Sequence, residues 1–108
     1  MKQETINLMA ISTITTCKLE TKDWTKITWK QWNKKNCYVS NCIKNRFFVV
    51  KSYNTIVAVI DDQLGFLYEL GKWSPTTSKQ VTQLYNMSDT ESYKTFGFSK
   101  LEHRFLVK

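Results

Sequence analysis

Three tryptophans, Trp24, Trp29 and Trp32, are threaded through five lysines, Lys22, Lys26, Lys30, Lys34 and Lys35, within residues 21–36. Ammonium groups neutralise phosphates as point charges and indole faces stack on exposed bases, so this pattern can grip single-stranded nucleic acid. The same cations suit an acidic protein surface equally well. Lys44 and Arg46 carry the basic character onward, and these ten residues form the candidate partner-binding set. Fourteen lysines against two arginines argue against base-specific duplex readout, because the guanidinium fork that grips guanine is scarce. The competing reading is structural: the tryptophans fill the core of a small domain while lysine stems lie over their rings.

A second group is Ser74-Pro75-Thr76-Thr77-Ser78-Lys79. Hydroxyls, helix N-terminal amides and a lysine can hold a phosphate. Helix capping by Ser74, with Pro75 in the first turn, explains the same residues without a ligand, and there is no Gly-rich loop beside them. Thr77 and Gln80 offer an alternative, capping-box start. Cys17, Cys37 and Cys42 with the single His103 do not make a four-ligand zinc site, so no metal or cofactor is expected. Cys37 and Cys42 flank a turn and pair only if oxidised; reduced thiols are the expectation for an intracellular chain. His103 has no Ser or Cys nucleophile constellation that can be placed beside it, and Asp61-Asp62 is explained by a hairpin loop, so no catalytic residues are assigned.

Charge sharpens the first group. Residues 18–51 hold nine basic residues against two acidic ones, while the remainder of the chain is balanced, so this third carries the entire net charge of +7. Such asymmetry points to an acidic partner, protein or nucleic acid. The first residues lack a signal-peptide pattern and no apolar run approaches bilayer length, giving the expectation of a cytoplasmic protein with no membrane contact. A chain of 108 residues with three glycines and one proline is expected to form one domain, 1–108, without low-complexity linkers.

The elements that must position these groups centre on residues 46–86. Phe47–Val50, Ile56–Ile60 and Phe66–Leu70 are short runs of β-branched and aromatic residues, which predict three antiparallel strands joined by turns at Ser52-Tyr53-Asn54 and Asp61–Gly65. A helix from Ser74 follows, with Val81, Leu84 and Tyr85 on one face and Asn86 ending it in a left-handed conformation. Residues 4–20, rich in Ile and Thr, predict one long strand or two. Residues 37–45 predict a short strand with a turn at Ser40-Asn41, and 21–36 fit helix or strand. Ser88–Glu91 and Ser99–Glu102 both read as capping boxes, the first opening a short helix and the second a helix bearing Leu101, His103 and Phe105. The fold class is α+β: an antiparallel sheet of four to five strands with one or two helices on one face.

Tyr53, Thr55, Leu67, Tyr68, Trp73, Ser74, Thr76, Thr77, Ser78 and Lys79 together form a recurring pattern. It is a Tyr-x-Thr turn, an apolar strand with Asp, a Leu-Tyr pair and Trp-Ser-x-Thr-Thr-Ser-Lys. This resembles a domain of unknown function in small proteins of phages and mobile elements of low-GC Gram-positive bacteria. The resemblance spans about a third of the chain and implies no catalytic activity. It implies a setting in which small proteins block host defence, so the expected function is non-enzymatic inhibition, such as an anti-CRISPR protein on a CRISPR effector nuclease or its ribonucleoprotein. The alternative is a nucleic-acid-binding module for phage replication or gene control.

Overall fold

Continuous runs of valine, isoleucine and phenylalanine build the sheet that divides the molecule. The computed structural model describes residues 1–20, 28–32, 36–44 and 46–108, the side chains of Leu19 and Glu20 excepted. In chain order the elements are α1 (Gln3–Glu20), β1 (Lys30–Gln31), β2 (Cys37–Ile43), β3 (Phe47–Ser52), β4 (Thr55–Asp61), β5 (Phe66–Glu69), α2 (Pro75–Asn86), α3 (Thr90–Thr95) and β6 (His103–Leu106). The strands lie in sequence order across one sheet. Every neighbouring pair is antiparallel except β5 and β6, which run parallel. The class is α+β, as expected. Among the described residues, however, the sheet has six strands and mixed direction, and helices cover both faces instead of one.

The central meander follows the predicted runs. Val50 pairs with Ala58 and Val59 with Tyr68, and the pleat then divides the apolar residues between two cores. On one face Phe48, Val50, Ala58, Ile60 and Leu67 pack with Val81 and Leu84 of α2 and with Phe96, Phe98 and Leu101. On the other, Phe47, Val49, Val59 and Tyr68 pack with Ile6, Ala10 and Cys17 of α1.

The Ile/Thr-rich residues 4–20 form α1, not the expected strand. Ile6, Ala10, Thr13 and Cys17 are buried, and their spacing is that of one helical stripe. Burying that stripe on the sheet outweighs the small β preference of Ile and Thr. The hydroxyls that would weaken such a helix are absorbed within it: Thr13 Oγ1 donates to the Met9 carbonyl at 2.9 Å and Thr16 Oγ1 to that of Ser12 at 2.8 Å.

The expected C-terminal helix bearing Leu101 and Phe105 is instead β6. The Glu102 and His103 amides donate to the Gly65 carbonyl at 2.7 and 3.1 Å, and the Val107 amide donates to that of Glu69 at 2.8 Å. The open margin of β5 thus takes the donors a helix would have kept for itself. His103 is exposed, as expected of a surface residue, but on this strand, its ring 5.5 Å from that of Phe66.

Smaller differences have equally local causes. β2 continues through Ser40-Asn41, and the irregularity is a register shift between Asn41 and Ile43 instead of a turn. α2 ends at Met87 with φ −99°, its amide bonded to the Gln83 carbonyl, so Asn86 does not supply a left-handed cap. α3 starts after Asp89 at φ 85°; the Ser88 hydroxyl accepts from the Leu101 amide at 2.8 Å and is not the cap.

Cys17 of α1 and Cys42 of β2 form a disulfide with their Cα atoms 5.5 Å apart, which corrects the expectation of reduced thiols. Cys37 cannot pair with Cys42: it belongs to the core beneath α2, whereas Cys42 packs on the opposite face beneath α1. Among the described residues no helix is long and apolar enough to cross a membrane.

Candidate functional site

The motif residues converge where α2 begins. Ser74 caps the helix, accepting from the Thr77 amide at 3.4 Å, with Pro75 in the first turn. Trp73 Nε1 donates to the Val57 carbonyl at 3.1 Å, and Ser78 Oγ donates to that of Trp73 at 3.4 Å. These bonds pin the helix start against β4, and Thr55 lies exposed at the start of that strand.

A buried polar cluster then ties α2 to β3. Ser52 Oγ donates to Gln80 Oε1 at 3.0 Å and lies 3.1 Å from Thr77 Oγ1. Thr77 and Gln80 therefore serve this cluster instead of a capping box. Gln80 also lines the cleft beside the start of α2.

Beyond Ser52 the chain turns through Tyr53 and Asn54. Tyr53 has φ 54°, a left-handed value at a position where two-residue hairpins favour glycine. Its amide donates to the Asn36 carbonyl at 2.8 Å, and its ring is exposed. Asn36, Tyr53, Thr76, Lys79 and Gln80 line an open cleft of about 440 Å³. An accessible aromatic face, a lysine, two carboxamides and a hydroxyl give it the means to stack on a planar group and hold an anion beside it.

The basic and aromatic set is distributed differently. Lys22, Trp24, Lys26, Lys34 and Lys35 lie outside the described residues. Trp32 is buried beneath α2, its ring 6.0 Å from that of Phe96, so this tryptophan is core. Lys30 donates to the Thr95 carbonyl at 3.2 Å. Trp29 is half-buried on the other face, where the ammonium of Lys51 sits 4.3 Å from its ring centre and 5.3 Å from that of Tyr38. Lys44 and Arg46 are exposed at the β2–β3 hairpin, with the Arg46 guanidinium 4.7 Å over Phe47. The described members thus do not meet at one point: Lys30 and Trp29 serve opposite faces, and the hairpin pair lies at the far end of β3 from Lys51.

Asn36 and Gln80 were not singled out as ligand groups by sequence reasoning. Gln80 had a signal, its place three residues after Thr77, which was read as a cap; Asn36 had none. Among the described residues no cluster of three His, Cys, Asp or Glu side chains could hold a metal ion.

No curated protein and no solved structure matches this chain. A family model does match, over residues 12–99, a span that contains the cleft, the motif and both sheet cores except residues 3–11 of α1, Leu101 and β6. The chain belongs to that family, a family of unknown function designated DUF8033.

Proposed function

We propose that this protein is a non-enzymatic inhibitor carried by a phage or mobile element, acting in the host cytoplasm, where the Cys17–Cys42 disulfide would have to resist the reducing thiol pool, by docking on defence machinery such as a CRISPR effector nuclease or its ribonucleoprotein. The observation that carries the reading is the concentration of the whole net charge of +7 in residues 18–51. Uncompensated cations of this density steer a protein toward an acidic surface and raise its rate of encounter. Among the described residues Lys18, Lys30, Lys44 and Arg46 are its exposed members, Arg46 lying 3.8 Å from Asp61.

A second reading, a nucleic-acid-binding module, draws on the cleft at the start of α2. There an exposed tyrosine and Lys79 stand together, the combination that stacks a base and neutralises its phosphate.

The test is affinity capture from a defence-bearing host, with and without nuclease. Recovery of a defence protein that survives nuclease and moderate salt, and that is lost when Lys26, Lys30, Lys34 and Lys35 become glutamate, is the expected result. Direct binding to generic DNA that falls steeply with salt would instead select the nucleic-acid reading. Full capture by the four-glutamate variant would exclude the basic region as the contact.

A further inference from the structure

The stripe of α1 that meets the sheet is Ile6, Ala10, Thr13 and Cys17, yet the opposite side of this helix is not charged. Leu8 and Ile11 point away from the core and are 67% and 54% exposed. Thr5, Ser12 and Thr15 are the exposed residues around them, and no charged side chain occurs between Glu4 and Lys18. Leu64 of the β4–β5 loop is exposed too and lines the same recess as Leu8, so the apolar surface continues from the helix onto the loop. A helix covered on one face carries charge on the other; apolar residues on both sides mark a helix that is covered twice.

The pattern of the outer side identifies its cover. Glu4, Leu8, Ile11, Thr15 and Lys18 succeed one another at intervals of four, three, four and three residues, the repeat that lets one helix lie along another. One charge stands at each end of this seam, and the two signs are opposite. Two copies running antiparallel about a two-fold axis set Leu8 and Ile11 of one against Ile11 and Leu8 of the other, and bring each Glu4 toward the other copy's Lys18. A parallel pair would set like charges together. Antiparallel helices also oppose their dipoles favourably. Lys18 already makes a contact within its own chain, and an ammonium has three donors to share. Other covers fit less well. An acidic surface finds no cation between the ends of the seam, and a membrane surface calls for lysine or arginine beside the apolar residues, where α1 has serine and threonine.

We infer that this face is an interface between two copies of the chain, an antiparallel α1–α1 pair centred on Leu8 and Ile11. Lys18 apart, the pairing uses none of the cations proposed to meet a partner. The seam of a single helix pair is smaller than a standard interface, so the association is weak.

Sedimentation equilibrium of the full chain is the test, in about 0.15 M salt to screen the repulsion between two chains of net charge +7. The expected result is a monomer–dimer equilibrium between roughly 10 µM and 1 mM, with NMR amide signals of Leu8, Ile11 and Thr15 moving on dilution. The double variant Leu8→Glu, Ile11→Glu should weaken association more than about tenfold and keep the folded spectrum, because both side chains lie outside the core. Glu4→Lys should weaken it roughly threefold, and adding Lys18→Glu should restore it. If the double variant does not fold, this charge exchange decides. A monomer at every concentration overturns the inference, as does a dimer that the double variant forms as readily. Failure of Lys18→Glu to restore what Glu4→Lys loses overturns the antiparallel arrangement. Binding of a wholly monomeric protein to phosphatidylcholine vesicles through Leu8 and Ile11 would assign the face to a membrane and overturn the pairing.

Discussion

Arg104 of β6 donates through Nε to the carboxylate of Glu69 on the neighbouring strand β5, and through Nη1 to Thr82 Oγ1 of α2 at 2.7 Å. One guanidinium therefore fastens the parallel strand pair to the helix that covers it. Glu69 is largely buried, so removing its partner leaves a carboxylate poorly solvated. Arg104→Met should lower the unfolding free energy by about 2 kcal/mol, less than a fully buried pair because the guanidinium remains partly wet. Adding Glu69→Leu should recover much of the loss. Urea melts of the two variants check both statements.

The Ser52–Thr77–Gln80 cluster should behave as a unit. Ser52→Ala leaves two buried polar groups short of a partner and is expected to cost about 1–2 kcal/mol. Loss of the cap in Ser74→Ala is expected to cost about 1 kcal/mol. Because Ser74 Oγ also donates to Thr77 Oγ1 at 3.3 Å, the double variant should depart from additivity. A thermodynamic cycle from chemical denaturation measures that departure.

The disulfide predicts a thiol count. Unfolded without reductant, the chain should expose one titratable thiol, Cys37, and with reductant all three. Closing a segment of separation 25 stabilises the fold by about 3 kcal/mol in the chain-entropy account. The Cys17→Ala, Cys42→Ala double variant should lose a comparable amount and should be indifferent to reductant.

Tyr68 predicts an alkaline limb. Its hydroxyl ionises near 10.0 when unfolded and near 12 when folded, so between these values the unfolded chain releases a proton that the folded chain retains. Stability from this group is complete below pH 10.0 and is lost as pH rises toward 12. Wild type should therefore lose stability relative to Tyr68→Phe as pH rises from 10.0 toward 12, with the difference between them level below that window, as followed by melts at stepped alkaline pH.

Tyr53 should show a trade between stability and binding. Its positive φ is one that glycine adopts without penalty, so Tyr53→Gly should leave stability unchanged or raise it by up to about 1 kcal/mol. If the cleft stacks a planar group, the same variant should weaken that binding. Thermal melts and ligand titration on one sample separate the two effects.

Which parts of this architecture could be read from residues alone follows from how local their causes are. The three strands from Phe47 to Glu69 and the Ser74 cap are set by neighbouring side chains, and sequence reasoning placed them well. α1 was misread because Ile and Thr favour strands in isolation. The spacing of Ile6, Ala10, Thr13 and Cys17 held the correct signal, but it gains meaning only with a sheet face to cover. β6 was misread because Ser99–Glu102 imitates a helix start, while its true partners, Gly65 and Glu69, are remote in sequence. The cleft was half legible: Tyr53, Thr76 and Lys79 were marked by the motif, but nothing nearby announces that Asn36 joins them. Trp32 was placed among partner-binding residues, and its burial against Phe96 assigns it to packing.

The parallel pairing of β5 with β6 has a consequence for how the molecule matures. Until residues 103–106 are in place, the outer rim of Phe66–Glu69 presents unpaired amides and carbonyls next to apolar side chains. A nascent or proteolytically clipped chain lacking that last strand would offer this rim to any extended segment nearby, including another copy. Pairing with residues 103–106 closes that rim to such contacts.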